Sequence, residues 1–139
     1  MLTGRCQCGG VRFEIDGRLG PVVYCHCSMC RHANGSSFAT NASVRTEDFR
    51  IVTGRELIKE YESSPGNLRA FCSRCGSPLY GTMADIPSIR RVRLGTLDNV
   101  KGTKSVAHIW TGSKSDWFDI TDHLEQFEHE PPGDYCAPA

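Results

Sequence analysis

The sequence predicts a mainly β protein with short helices, and three observations carry that reading. Apolar and polar residues alternate over short runs, as in "GVRFEID", where Val11, Phe13 and Ile15 share one face of a half-buried strand. Fourteen glycines, with prolines, asparagines and serines, cut the 139 residues into pieces too short for long helices. Only two stretches carry helical patterning. The length suits one compact domain, residues 1–139, and no repeat, linker or low-complexity segment divides it.

The elements follow in order. After "GVRFEID", the run "PVVYC" reads as a strand ending on Cys25. "CSMCRHANG" is a short helix closed by Gly35, because glycine readily takes the left-handed conformation that ends a helix. "SSFATNASV" is a strand and "TEDF" a single turn. "ELIKEYES", "LRAFC", "SPLYGTMA", "RRVRLGTL" and "VAHIW" are further short strands. The second helical stretch is "DITDHLEQFEHE" near the end.

Sixteen bases balance sixteen acids, but unevenly. Asp116, Asp119, Asp122, Glu125, Glu128, Glu130 and Asp134 are followed or separated by no Lys or Arg, so residues 1–115 carry 16 bases against 9 acids. A neutral total and the lack of a basic stripe with interleaved aromatics disfavour a nucleic-acid binder. The basic body suits a small anionic ligand. No apolar run reaches the ~20 residues of a membrane helix, and "MLTGRCQCGG" has no signal-peptide pattern, so a cytoplasmic protein without a membrane partner is expected. In that reducing setting, closely spaced cysteines point to metal or redox chemistry before disulfides.

Seven of the eight cysteines form three clusters: Cys6 and Cys8; Cys25, Cys27 and Cys30; Cys72 and Cys75. Thiolates are preferred zinc ligands, and structural zinc takes four in a tetrahedron. "CSRCG" supplies one gripping pair and "CQCGG" another, so Cys6, Cys8, Cys72 and Cys75 would close one site. Cys25, Cys27 and Cys30 then remain as three ligands with an open fourth position. Alternatives stand beside this reading. His32 would close a Cys₃His site, or the trio would share partners with the other clusters and only one metal would be held. His26, between two ligands, is expected to point away as a surface or supporting residue. Cys136 reads as a free thiol in a mobile tail that is also able to fold back onto the open site. Arg90, Arg91 and Arg93 read as exposed strand residues, with Arg91 and Arg93 on one face and Arg90 on the other.

These clusters, with "GRCQCGGVRFEI", "CHCSMCRHANGSSF", "FCSRCGSPLY" and "HIWTGSKSDWFDITDHLEQFEHEPP", resemble the glutathione-dependent formaldehyde-activating enzymes and the related centromere protein V family. The resemblance implies a zinc-containing, Mss4-like β fold and two zinc ions per chain. It implies that Cys6, Cys8, Cys72 and Cys75 hold a structural zinc, and that Cys25, Cys27 and Cys30 hold a catalytic one. The implied activity is that of a carbon–sulfur lyase joining glutathione, or a related thiol, with formaldehyde or a similar small aldehyde. Arg31, Gly35 and Phe38 also match the pattern and read as packing and turn residues. The rival expectation is a binding module in which both zincs are structural.

Overall fold

The computed structural model describes residues 1–139. Eleven strands form two sheets, with one short α-helix between β3 and β4 in the chain. β1 (Leu2–Arg5), β2 (Arg12–Ile15) and β5 (Phe49–Thr53) make a three-stranded antiparallel sheet in the order β1-β2-β5. The other eight are β3 (Val22–Cys25), β4 (Ala39–Arg45), β6 (Ile58–Ser64), β7 (Asn67–Cys72), β8 (Pro78–Met83), β9 (Ile89–Arg93), β10 (Ser105–Ile109) and β11 (Glu125–Gln126). They run β11-β10-β3-β4-β9-β8-β7-β6 across one large sheet. β10 pairs in parallel with β3 and β11, and the remaining pairings are antiparallel. No helix is long and apolar enough to cross a membrane.

The main core lies between the two sheets. Phe13, Ile15 and Phe49 of the small sheet, with Val11 just before β2, pack with Val44, Ala70, Leu79, Tyr80 and Val92 of the large one, all buried. Period-two alternation produces this: the residues of β4 and β9 that enter the core leave their neighbours on the opposite face. Phe13 stacks on Phe49 with ring centroids 4.9 Å apart. Arg90 lays its guanidinium 4.7 Å over both Phe49 and Tyr80. It is therefore a cation–π partner at the core edge, not the exposed strand residue expected from the sequence.

Every strand expected from the sequence forms, along with the 3₁₀ turn Thr46–Asp48. The helix α1 spans Ser28–Asn34, with Gly35 at φ 59° and its N–H bonded to the Arg31 carbonyl. The second expected helix does not form. Residues 119–130 form no helix, and within them β11 pairs beside β10 at Ala107 and His108. The otherwise unpaired edge of β10 takes these backbone groups, and that pairing overrides the helical spacing of Ile120, Leu124 and Phe127. Backbone bonds from Trp110 N–H to His129 O and from Thr111 N–H to Phe127 O continue the pairing past β11. They hold Trp110 at φ 57°, a left-handed conformation a bulky residue adopts only under tertiary constraint.

Cys136 and its neighbours are likewise not a mobile tail. Ser43 Oγ donates to the Cys136 carbonyl at 2.5 Å, and a side chain at Gly20 would collide with the Ala137 carbonyl. Gly54 sets a comparable constraint near the N-terminal cysteines. It sits at φ 82°, and a Cβ there would lie 2.1 Å from the Gly10 carbonyl. Gly54→Ala combines backbone strain with a backbone clash, so it should cost at least ~1 kcal/mol. Thermal unfolding of the two proteins, with zinc present throughout, checks this; an unchanged midpoint would show that the turn re-forms freely.

Candidate metal centres

The four thiols of Cys6, Cys8, Cys72 and Cys75 converge with every sulfur within 4.8 Å of the others. Cys6 and Cys8 precede β2, whereas Cys72 ends β7 and Cys75 follows it in a turn. Gly76, at φ 80°, allows that turn, and its N–H returns to the Cys72 carbonyl. Cys6 and Cys8 sulfurs are 3.5 Å apart, and Cys8 and Cys72 sulfurs 3.9 Å, across 64 residues of sequence. Tetrahedral zinc with Zn–S bonds of ~2.3 Å places its sulfurs about 3.8 Å apart, so the donor set fits the ion. Backbone N–H groups of Val11 and Gly10 donate to Cys6 and Cys8 sulfurs at 3.2 and 3.4 Å. Ser77 lies 3.3 Å from Cys75 sulfur and accepts from the Gln7 N–H at 2.8 Å, linking the two halves of the cluster. That hydroxyl, followed by backbone donors, draws the Cys75 thiol down to about 5. Nothing in the sequence marked Ser77 beyond its place after "CSRCG".

Cys25, Cys27 and Cys30 form the second group, again within 4.8 Å of one another. Cys25 closes β3, Cys27 is the N-cap of α1, and Cys30 lies in its first turn, its N–H donating to Cys27 sulfur at 3.3 Å. No histidine, carboxylate or further cysteine completes this group. His32 turns instead to the Ser28 carbonyl, 2.7 Å from Nδ1. The closed Cys₃His arrangement is therefore not the one adopted. The two groups are separate, so the single-ion alternative is not adopted either.

Arg69 of β7, which sequence reasoning missed, presents Nη1 and Nη2 to Cys30 sulfur, each at 3.7 Å. Hydrogen bonds from Cys25 and Cys27, and then the Arg69 charge, pull the Cys30 thiol far down, while its bond with Cys27 pushes Cys25 far up.

The trio opens into a pocket of about 400 Å³, within the usual range for small-molecule sites. Its floor is the face of the large sheet opposite the main core. Arg91 and Arg93 share this face, as their alternation predicts, but they line the pocket and Arg93 is only 8% exposed. The expectation of solvent-facing arginines is overturned because the pocket and the C-terminal segment cover them. Cys136 does fold back to this pocket, yet its sulfur is not among the converging group.

His26 points away from the trio, as extended backbone requires, but it is fully buried and not a surface residue. Its Nε2 lies 2.8 Å from His108 Nδ1, and His108 Nε2 lies 2.9 Å from Asp122 Oδ2. With His108 donating to Asp122, its Nδ1 accepts from His26, leaving His26 Nδ1 unprotonated and without a partner. Burial, reinforced by the neighbouring His108, draws His26 down to about 4 and keeps it neutral. Phe38, 5.2 Å from the His26 ring and 4.5 Å from Tyr24, packs around this chain as the sequence suggested. The pairing joins β3 to the 119–124 segment and so steadies the strand that carries Cys25.

Comparison with known proteins identifies one family. The family described as glutathione-dependent formaldehyde-activating enzyme matches residues 1–113. A Halomonas elongata protein that carries the family's name is 33% identical over 129 residues, 86% of this chain and 81% of that protein. A Schizosaccharomyces pombe protein named an uncharacterized lyase is 22% identical, covering 89% of this chain and 88% of its own. A crystal structure of a Rhodobacter sphaeroides protein superposes with a TM-score of 0.61 at 28% identity, over 72% of this chain and 91% of that one.

A metal held by the trio would gain three thiolate charges against two on a zinc ion, and Arg69 offsets the excess. Arg69→Met should weaken metal retention at the trio about tenfold, the lower end for a supporting residue. It should leave the four-cysteine site unaffected. Chelator titration with metal release followed by absorbance resolves the two equivalents; release of both together would contradict the assignment.

Proposed function

The chain belongs to the glutathione-dependent formaldehyde-activating enzyme family, and from that premise we propose that it joins glutathione, or a closely related thiol, to formaldehyde or a similar small aldehyde, as a carbon–sulfur lyase of one zinc-binding domain. Cys6, Cys8, Cys72 and Cys75 hold a structural zinc, and Cys25, Cys27 and Cys30 hold a second at the reaction site. The observation that carries this reading is the three-thiol group at a cationic pocket with no fourth protein donor. Structural zinc sites are closed by four protein ligands, whereas catalytic ones keep a position free.

A zinc ion on the trio would supply a position at which the substrate sulfur is stabilised as thiolate. The protein residues supply the rest. Arg69 balances the negative charge of the trio, and the pocket arginines draw in an anionic substrate. In the net reaction the thiol gives up its proton and a carbon–sulfur bond forms at the aldehyde carbon. The carbonyl π bond opens onto oxygen, which takes up a proton. No oxidant or reductant is required.

The two sites should fail differently. The ion shared by Cys6, Cys8, Cys72 and Cys75 closes a loop of 64 residues or more. Structural zinc contributes roughly 10–16 kcal/mol of apparent binding free energy in small zinc peptides, against only ~5–15 kcal/mol of net stability in ordinary domains. Cys72→Ser should therefore yield unfolded or insoluble protein. The trio constrains a single local turn, where little chain entropy is at stake. Cys27→Ser should remain folded, lose about one zinc equivalent and lose turnover of glutathione with formaldehyde. Circular dichroism, zinc content and adduct formation on the paired variants test this. Unfolding of Cys27→Ser as readily as Cys72→Ser would make the second site a structural clamp and favour a non-catalytic binding module.

A further inference from the structure

We propose that Arg91 is the carboxylate anchor of the pocket, the residue that holds the anionic end of the thiol substrate. The proposal rests on the reading of the cysteine trio as the end of the pocket that receives sulfur.

The sheet register lines up Arg69, Gly81, Arg91 and Ser43 side by side across β7, β8, β9 and β4. Arg93 stands one step further along β9, opposite Asn41. Three guanidinium groups thus share the pocket floor, and their commitments differ. Arg69 faces Cys30 sulfur. Arg93 donates from Nη1 to Asn41 Oδ1 at 2.7 Å and is buried. Arg91 makes no hydrogen bond or ion pair, and its Nε is buried without an acceptor. The single carboxylate lining the pocket, Glu130, pairs with none of the three.

A partly buried guanidinium with unmet donors is costly unless an anion completes it. Its planar fork matches a carboxylate in bidentate fashion. Gly81 keeps the floor open between Arg69 and Arg91; a Cβ there would come within 3.3 Å of Arg93 Nη2. The register also sets the span. Cys25 lies opposite Ala39 and Arg91 opposite Ser43, on the two strands flanking β4. A rise of ~3.3 Å per residue and a strand spacing of ~4.8 Å put the two backbones roughly 16 Å apart. Both residues line the pocket, which therefore has a sulfur-receiving end and a cationic end.

Calorimetry on the zinc-loaded protein tests the assignment, using glutathione and its diethyl ester, in which both carboxylates are masked. Arg91→Gln should weaken glutathione binding tenfold or more and leave ester binding unchanged, and Arg91→Lys should lose less. Far-ultraviolet circular dichroism confirms that each variant is folded. Equal losses for both ligands, or no loss for either, would overturn the proposal, as would wild-type protein that binds the ester as tightly as glutathione. Formaldehyde turnover, measured separately, distinguishes the two claims. Arg91-dependent binding without adduct formation would leave the anchor assigned and sink the aldehyde chemistry. Adduct formation insensitive to Arg91 would do the reverse.

Discussion

Four thiols within 4.8 Å of one another cannot all ionise unless a cation sits among them. That electrostatic condition organises the molecule, because the four come from segments attached to the two different sheets that enclose the main core. Cys6 and Cys8 lead into β2, whose Phe13 and Ile15 fill the space between the sheets. Cys72 and Cys75 end β7, in the half of the large sheet that supplies Ala70, Leu79 and Tyr80 to the same core. An ion at this point closes the small sheet onto the large one where no disulfide does so. Apolar burial then fixes the faces: what β4 and β9 place in the core determines, by alternation, what they place in the pocket.

The opposite face follows a different logic. Three further thiols meet there with no fourth ligand, and the charge they concentrate is answered by arginines in place of acids. Arg69 faces the Cys30 sulfur, and Arg93 is anchored by Asn41. Behind the trio, His26, His108 and Asp122 form a buried chain that ties β3 to the C-terminal segment. The same segment supplies β11 and brings Tyr135 and Cys136 over the pocket. The site is thus built from strand faces and one helix N-cap, with its cover drawn from the last residues of the chain.

Much of this was legible in the sequence where the signal is local. Cysteine pairs two or three residues apart, a glycine closing α1, and alternating strands are short-range features, and each appears where expected. What depended on tertiary partners was not legible. The segment 119–130 has helical spacing, but an open edge of β10 claims its backbone and His108 claims Asp122. Arg90, Arg91 and Arg93 alternate as a strand should, yet their burial depends on Phe49, Tyr80 and the covering tail, which no local pattern encodes. Arg69 and Ser77 sit in unremarkable strand and turn contexts, and only the fold brings them to sulfur. The strands β1 and β5 were also missed, since each is four or five residues with little alternation.

On this reading one metal centre is closed by four sulfurs while the other keeps a position for an incoming thiol. Zinc X-ray absorption on the protein with both sites filled measures this directly. The expected spectrum is a mixture of a four-sulfur site and a three-sulfur site with one light oxygen ligand, and adding glutathione should replace that oxygen with sulfur. Four protein sulfurs at every zinc, or a spectrum indifferent to glutathione, would contradict it.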